Sequence, residues 1–313
     1  METIILISSS ILSFLLIVFT QKRFLKNKMT VKINNRSSHN VLATGNGGLA
    51  IFLTLFIISS LNYLNGVTLF NYSLLIPLAI MVATGIYDDN KTVDFKLKFI
   101  FQIIVAKIIV DNGFVIDNLH GFLSIFELSN IAAQSFTIFV VVGIINAINF
   151  IDGIDGLAIS ISTIFIISFE FFNKNIPEFR YLSFIILGSF IPLIIFNLKK
   201  KNKVFLGDGG SLFLGTLISI YTISILSNNY IIKDEFDINK ILFVISILIY
   251  PFIDISRVFI LRLVNGKSPF IADKNHIHHL ILSKTKSHFK TTFFIILFNI
   301  IIIFTFQLIQ NFQ

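Results

Sequence analysis

Residues 131–150 read IAAQSFTIFVVVGIINAINF and pass directly into IDGIDGLA at 151–158. The first run carries no charge and has about the 20 residues that a helix needs to cross a hydrocarbon core roughly 30 Å thick. The second opens at once with Asp152, Gly153, Asp155 and Gly156. A membrane-length apolar helix therefore ends in a burst of acids and glycines. Similar apolar runs recur on both sides. Of the 313 residues, 55% are hydrophobic and 13% charged, against about 25% charged in soluble domains. This balance excludes a soluble globular enzyme, a disordered chain and a nucleic-acid-binding module. The chain reads as an all-α polytopic integral membrane protein.

Ten spans are expected, at about 3–20, 47–65, 70–87, 97–116, 131–150, 157–172, 180–197, 210–227, 240–264 and 291–309. The flank before the first run is Met1-Glu2, and Lys22, Arg23, Lys26 and Lys28 follow it. That order argues against a cleavable signal peptide and puts the N-terminus outside. Alternation then places the loops at 21–46, 88–98, 198–209 and 265–290 inside, where most Lys and Arg lie, including Lys199, Lys200, Lys201 and Lys203. The outside loops hold only Lys174, Arg180, Lys233 and Lys240. Both termini are expected outside, and residues 1–313 are expected to form a single transmembrane domain. The formal charge of +8 is thus a cytoplasmic-loop bias rather than a sign of nucleic acid. The chain has no cysteine, which leaves no disulfide, zinc-thiolate site or thiol nucleophile.

The dense polar clusters all fall at span ends on the inside. Asp88-Asp89 end the third span, with Lys96 and Lys98 following. An acid pair there suits a divalent cation or a proton from an acidic nucleophile, while lysines at a helix start read equally as snorkelling side chains. In NAINFIDGIDGLA, Asn146, Asn149, Asp152 and Asp155 recur every three residues, which on a helix stacks oxygen ligands along one face. Oxygen donors of this kind suit Mg²⁺. Gly207-Asp208-Gly209-Gly210-Ser211 opens the eighth span, where free N–H groups could cradle phosphate or Asp208 could serve as a cap. His276, His278 and His279 fit zinc poorly, because their spacing does not share a helical face and no carboxylate adjoins them. Hydrogen bonding to phosphate or sugar suits them better, with Arg257 or Arg262 as a diphosphate clamp and Pro251 and Asp254 marking a broken helix. Outside, Asp117, Glu127 and Asp234-Glu235 are scattered, and Lys107 with Asp111 reads as an i,i+4 pair.

Together these residues resemble the polyprenyl-phosphate N-acetylhexosamine-1-phosphate transferase family, glycosyltransferase family 4. The likeness spans roughly 36–283: Asp88-Asp89 with Lys96 and Gln102, NAINFIDGIDGLA, FLGDGGSLFLG at 205–215 and PFIDISRVFILRLVNGKSPFIADKNHIHHL at 251–280. Arg36-Ser37-Ser38-His39 with Gly47-Gly48, and HIHHL in place of three consecutive histidines, resemble the branch serving O-antigen, enterobacterial common antigen or teichoic acid. Two features depart from the family pattern. Thr92 stands where a third acid is common, and LATGN at 42–46 replaces a Pro- and Arg-containing stretch. The resemblance implies transfer of a sugar 1-phosphate from a UDP-sugar to undecaprenyl phosphate with release of UMP, at the inner face of a bacterial plasma membrane. It implies a Mg²⁺ or Mn²⁺ cofactor held by Asn149, Asp208 and Asp152. It implies catalytic roles for Asp88, Asp89, Asp152 and Asp155, and substrate contacts from Lys96, Asn146, Arg257, His276, His278 and His279. The expected partners are the two substrates and the lipid bilayer, with a homodimer left open and no nucleic acid. Competing readings are the muramoyl-pentapeptide transferase of peptidoglycan synthesis and, from another class, a non-catalytic transporter with ionisable groups near mid-bilayer.

Overall fold

The computed structural model describes residues 1–31, 43–91, 93–174, 179–199, 201–226, 230, 232, 240–266 and 275–310. Arg36 to His39, Thr92, Lys200, Lys233, Asp234, Glu235 and the stretch 267–274 lie outside them. Helices α1 (Glu2–Lys26), α2 (Gly47–Leu64), α3 (Leu75–Lys91), α4 (Phe95–Asp111), α5 (Asn130–Ile151), α6 (Leu157–Phe172), α7 (Arg180–Leu198) and α8 (Gly207–Leu226) follow the first eight apolar runs. The ninth run divides into α9 (Lys240–Ile247) and α10 (Ile249–Val264), and the tenth is α12 (His288–Gln310). A short α11 (Ile277–Thr285) precedes it. Among the described residues, six helices are long and apolar enough to cross a membrane, and the bent pair α9–α10 makes a seventh. The chain is a multi-pass membrane protein. Helices α3, α4 and α6 have 17, 17 and 16 residues, so ten spans and the sidedness remain expectations of the sequence.

Helix α8 is the hub. It packs against α2, α3, α5, α6 and α9, and its polar Ser211, Thr216, Ser219 and Thr222 are all buried. Lipid gives helices no hydrophobic reason to associate, so small residues that let backbones approach become the means of packing. Here that approach is extreme. A Cβ on Gly48 of α2 would fall 2.2 Å from the Gly210 Cα, and one on Gly85 of α3 would fall 2.3 Å from the Asp208 carbonyl carbon. The same corner is stitched by a two-stranded parallel sheet, β1 (Ala43–Thr44) with β2 (Lys203–Val204). The N–H groups of Gly47 and Gly48, orphaned at the start of α2, donate to the Phe205 and Leu206 carbonyls at 3.0 and 2.9 Å.

The axes of α9 and α10 differ by 73°, and Pro251 explains the break. Its ring has no N–H to give the Ile247 carbonyl and would clash with it in a continuous helix. The Asn299 side chain of α12 takes over, donating to that carbonyl at 3.0 Å. At the other end of the bundle Arg180 of α7 meets Glu2 of α1 through two hydrogen bonds, of 2.6 and 3.2 Å. Lys107 and Asp111 form an exposed i,i+4 pair, as their spacing suggested.

Gly85→Ala should destabilise the protein by about 1–3 kcal/mol, because the added methyl meets backbone that cannot step aside. Gly143→Ala on α5, where nothing lies within 4 Å of the new Cβ, should be neutral or gain up to ~1 kcal/mol of helix propensity. Thermal unfolding of the two variants in detergent checks this contrast.

Candidate active site

The C-terminal ends of α3 and α5 and the N-terminal ends of α4 and α8 meet at one end of the bundle. Asp94 starts α4, accepting from the Lys96 N–H at 3.2 Å, and one turn on, Lys98 reaches into the centre. Its ammonium lies 2.9 Å from Asp88 Oδ2, 3.0 Å from Asp208 Oδ2 and 3.4 Å from Asn149 Oδ1. Asn149 then donates to Asp208 Oδ1 at 3.1 Å and to the Ser211 hydroxyl at 2.7 Å. Asp88 is fixed from behind by the Val93 N–H at 2.7 Å. Three helices and the start of a fourth thus converge on one positive charge.

Asp89 has a different task from its neighbour. Both of its oxygens accept the Asp208 N–H at 3.1 Å, so it caps α8 from another helix. The glycine-rich turn is therefore occupied by the protein's own carboxylate rather than open to phosphate. Gly207 has φ +74°, and any Cβ there would lie 2.7 Å from Asp89 Oδ2. Only glycine suits that position.

The expected face of four oxygen ligands at 146, 149, 152 and 155 divides, because α5 ends at Ile151. Asn149 joins the acid cluster. Asn146 turns toward α4 and exchanges two hydrogen bonds with Gln102, of 2.7 and 3.2 Å. Asp155 pairs with Lys203 of β2 and lies 3.5 Å from His288 Nδ1, while its carbonyl accepts from Thr292. Asn146 and Asp155 are thus held by structural partners, one between helices and one between the loop, β2 and α12. Asp152 follows the last turn of α5, and its carboxylate has no partner among the described residues. Burial pushes it well above the usual carboxylate range, and the charges of Asp208, Asp89 and Asp155 push the same way.

Lys96 is exposed and has no ion pair among the described residues, whereas Lys98 is the lysine drawn into the acid cluster. The clue was periodicity. Lys98 lies one turn before Gln102, so both face α5, whereas Lys96 does not share that face.

The three histidines do gather, although no helical face unites them. His276 precedes α11 in extended conformation, with φ −62° and ψ 145°, so its ring folds back over His278 at 5.3 Å, with His279 4.4 Å from His278. The carboxylate that the sequence did not place beside them is Asp254 of α10, whose Oδ2 lies 2.7 Å from His276 Nδ1. Asp254, His276 and His278 offer ligand atoms within 4.8 Å of one another, an arrangement able to hold a metal ion. Burial lowers His278 to about 3, His279 and His276 acting the same way against Asp254. Arg257 donates to the Asn275 carbonyl at 2.5 Å. Beside this cluster an apolar cavity of about 270 Å³ is lined by Tyr250, Ile253, Ile277, Ile281, Phe294, Ile295 and Phe298, as the broken helix implied.

A multi-pass membrane protein with an oxygen-rich, lysine-centred site at one end of its bundle is the class this geometry defines. The family model described as Glycosyl transferase family 4 matches residues 71–226, which contain Asp88, Asp89, Lys98, Asn149, Asp152 and Asp208. The chain is 32% identical over 294 residues to the probable undecaprenyl-phosphate N-acetylglucosaminyl 1-phosphate transferase of Bacillus subtilis (strain 168), covering 89% of this chain and 77% of that one. It is 30% identical over 281 residues to the undecaprenyl-phosphate alpha-N-acetylglucosaminyl 1-phosphate transferase of Pasteurella multocida (strain Pm70), covering 86% and 76%. The chain belongs to glycosyl transferase family 4.

Gln102→Leu alone should destabilise by about 1 kcal/mol, because the half-buried Asn146 keeps its bond to the Val142 carbonyl while its side-chain oxygen loses its donor. Adding Asn146→Leu should recover most of that loss. A double-mutant cycle of melting temperatures checks it; additive losses would show that the amides do not depend on each other.

Proposed function

We propose that this chain transfers N-acetylhexosamine 1-phosphate from a UDP-sugar to undecaprenyl phosphate, releasing UMP, as an initiating step of cell-surface polysaccharide synthesis. The observation that carries this reading is the convergence of Asp88, Asp208 and Asn149 on the Lys98 ammonium, a site built around positive charge within relatives named for this kind of transfer. The relatives' names favour N-acetylglucosamine as the sugar. A bacterial plasma membrane with the site at the cytosolic face suits both substrates, since one arrives in the bilayer and the other in water.

The donor set fits a divalent cation. Asp208, Asn149 and Asp152 offer oxygen only, which suits Mg²⁺ or Mn²⁺, and an ammonium already stands among these oxygens. Those three residues would hold the ion. When bound, it would neutralise the diphosphate during phosphoryl transfer. The chain's own groups do the rest. Lys98 offers a fixed cation to the transferred phosphate. Asp88, anchored by Val93, holds that lysine in place. Asp89 fixes the start of α8, and Asp152, with no hydrogen-bond or ion-pair partner among the described residues, is open to the cation. The histidine cluster receives the nucleotide end, and the adjacent apolar cavity suits the first isoprene units of the lipid carrier. The peptidoglycan reading loses ground to the HIHH arrangement and to the relatives' names. A transporter loses ground because the acids that converge on one another, Asp88, Asp89 and Asp208, gather at one end of the bundle.

Purified protein with undecaprenyl phosphate and a panel of UDP-sugars should release UMP only with a divalent ion present. Asp208→Asn, Asp152→Asn and Lys98→Gln should each lower kcat by about 10²–10³, while Lys96→Gln and Asp117→Asn stay near wild type. Full turnover in excess EDTA, or equal loss at Asp117, would remove this assignment.

A further inference from the structure

Three residues on one side of α10 hold the histidine segment at three successive points. Tyr250, Asp254 and Arg257 stand at i, i+4 and i+7, and so share a face of the helix. Arg257 Nη1 donates to the Asn275 carbonyl at 2.5 Å. Asp254 accepts twice, from His276 Nδ1 at 2.7 Å and from the Ile277 N–H at 2.5 Å, the latter satisfying an orphan donor of the first turn of α11. The Tyr250 hydroxyl meets His278 Nδ1 at 3.2 Å. Asp254 and His278 are 0% exposed, Tyr250 is 3% and His276 6%.

Packing alone does not account for this stripe. A buried carboxylate is costly to desolvate, and an apolar side chain of like volume often serves stability as well. What only a carboxylate supplies is a pure acceptor. Beside it, His276 must carry its proton on Nδ1, and Nε2 is left as the ring nitrogen without a partner among the described residues. Tyr250 engages His278 at the same nitrogen, and since a hydroxyl can donate or accept, it fixes that ring's direction rather than its tautomer. Its Nδ1 is engaged, while its Nε2 is buried with no hydrogen-bond partner among the described residues. That atom faces the catalytic loop, for a Cβ added at Gly153 would lie 2.9 Å from it. Gly153 directly follows Asp152. Both rings thus turn Nδ1 toward α10 and keep Nε2 uncommitted.

We propose that Tyr250 and Asp254, with Arg257 fixing the backbone beside them, are positioning residues that set the direction of His276 and His278 and the tautomer of His276, so that Nε2 of each faces the nucleotide sugar and the bare Nε2 of His276 accepts from one of its hydroxyls. None of the three touches substrate. The proposal rests on the reading of the histidines as ligands of the sugar donor.

The test uses the full-length protein in detergent, labelled with ¹⁵N-histidine, and Asp254→Asn. The asparagine oxygen can keep the Ile277 N–H, while its amide donates to His276 Nδ1 and forces the ring proton to Nε2. Long-range ¹H–¹⁵N correlation spectra should show one histidine change tautomer. The kcat should fall about 10- to 100-fold, the usual loss when the partner orienting a functional histidine is removed, with KM for the lipid phosphate unchanged. Turnover within twofold of wild type despite a flipped tautomer would overturn the proposal. So would lost turnover with the tautomer unaltered. Should the variant fail to elute as folded protein, Tyr250→Phe decides, because it removes one hydroxyl and no volume. A severalfold lower kcat supports the proposal, and wild-type turnover overturns it. Absence of UMP release by the wild-type protein with every UDP-sugar would instead strike the functional reading, since the tautomers can be read without substrate.

Discussion

Where α8 enters the bundle, backbone lies against backbone: Gly48 of α2 on one side, Gly85 of α3 on the other, each with less room than a single methyl would need. The placement of every acid in the site follows from this contact. Because α3 comes so close, Asp89 reaches the free N–H of Asp208 and caps α8 across the interface. Because α2 does so too, its first N–H groups bond the loop carbonyls ahead of α8. The start of α8 is then rigid, and Asp208 stands where α5 and α4 can bring Asn149 and Lys98 to it.

The electrostatics ask for that rigidity. Carboxylates crowded at a membrane boundary repel one another, and without a counter-charge the cheapest response is protonation or retreat. Lys98 supplies a counter-charge to two of them, and the helix N-terminus supplies part of another to Asp89. Asp152 has neither, and its carboxyl is correspondingly reluctant to ionise. Burial raises Asp89, to about 8, and Asp208 as well, so more than one acid of the site would ionise more readily beside a cation.

The helices were legible because hydrophobic length is a one-dimensional property, and the apolar runs coincide with helices within a few residues. The acids of the central cluster were legible because acids are expensive in such a chain and these ones stand at run ends. Partnership was harder to read. Asn146 looked like a ligand because it shares a spacing with Asn149, yet α5 ends five residues later and Gln102 lies in reach of its amide. Lys98 looked like one of two snorkelling lysines until α4 was given a direction. Asp254 was noticed only as a neighbour of Arg257, and nothing local says that a carboxylate 22 residues ahead of His276 becomes its partner. These pairings cross helices, and the crossings depend on glycine contacts that sequence spacing does not encode.

Helix α8 has one more consequence, which concerns time. It is 94% buried along its apolar window, against 28% for α1 and α12, although it is made after seven others. During synthesis the earlier helices must enter the membrane around a vacancy, with Gly48 and Gly85 facing lipid instead of backbone. Asp88 and Asp89 wait at its rim without the helix start that will neutralise one of them. The arrival of α8 closes the hole, pairs β2 with β1 and completes the acid cluster in a single event. The acid cluster is then complete before the helices that carry the histidine cluster, α10 and α11, have been made.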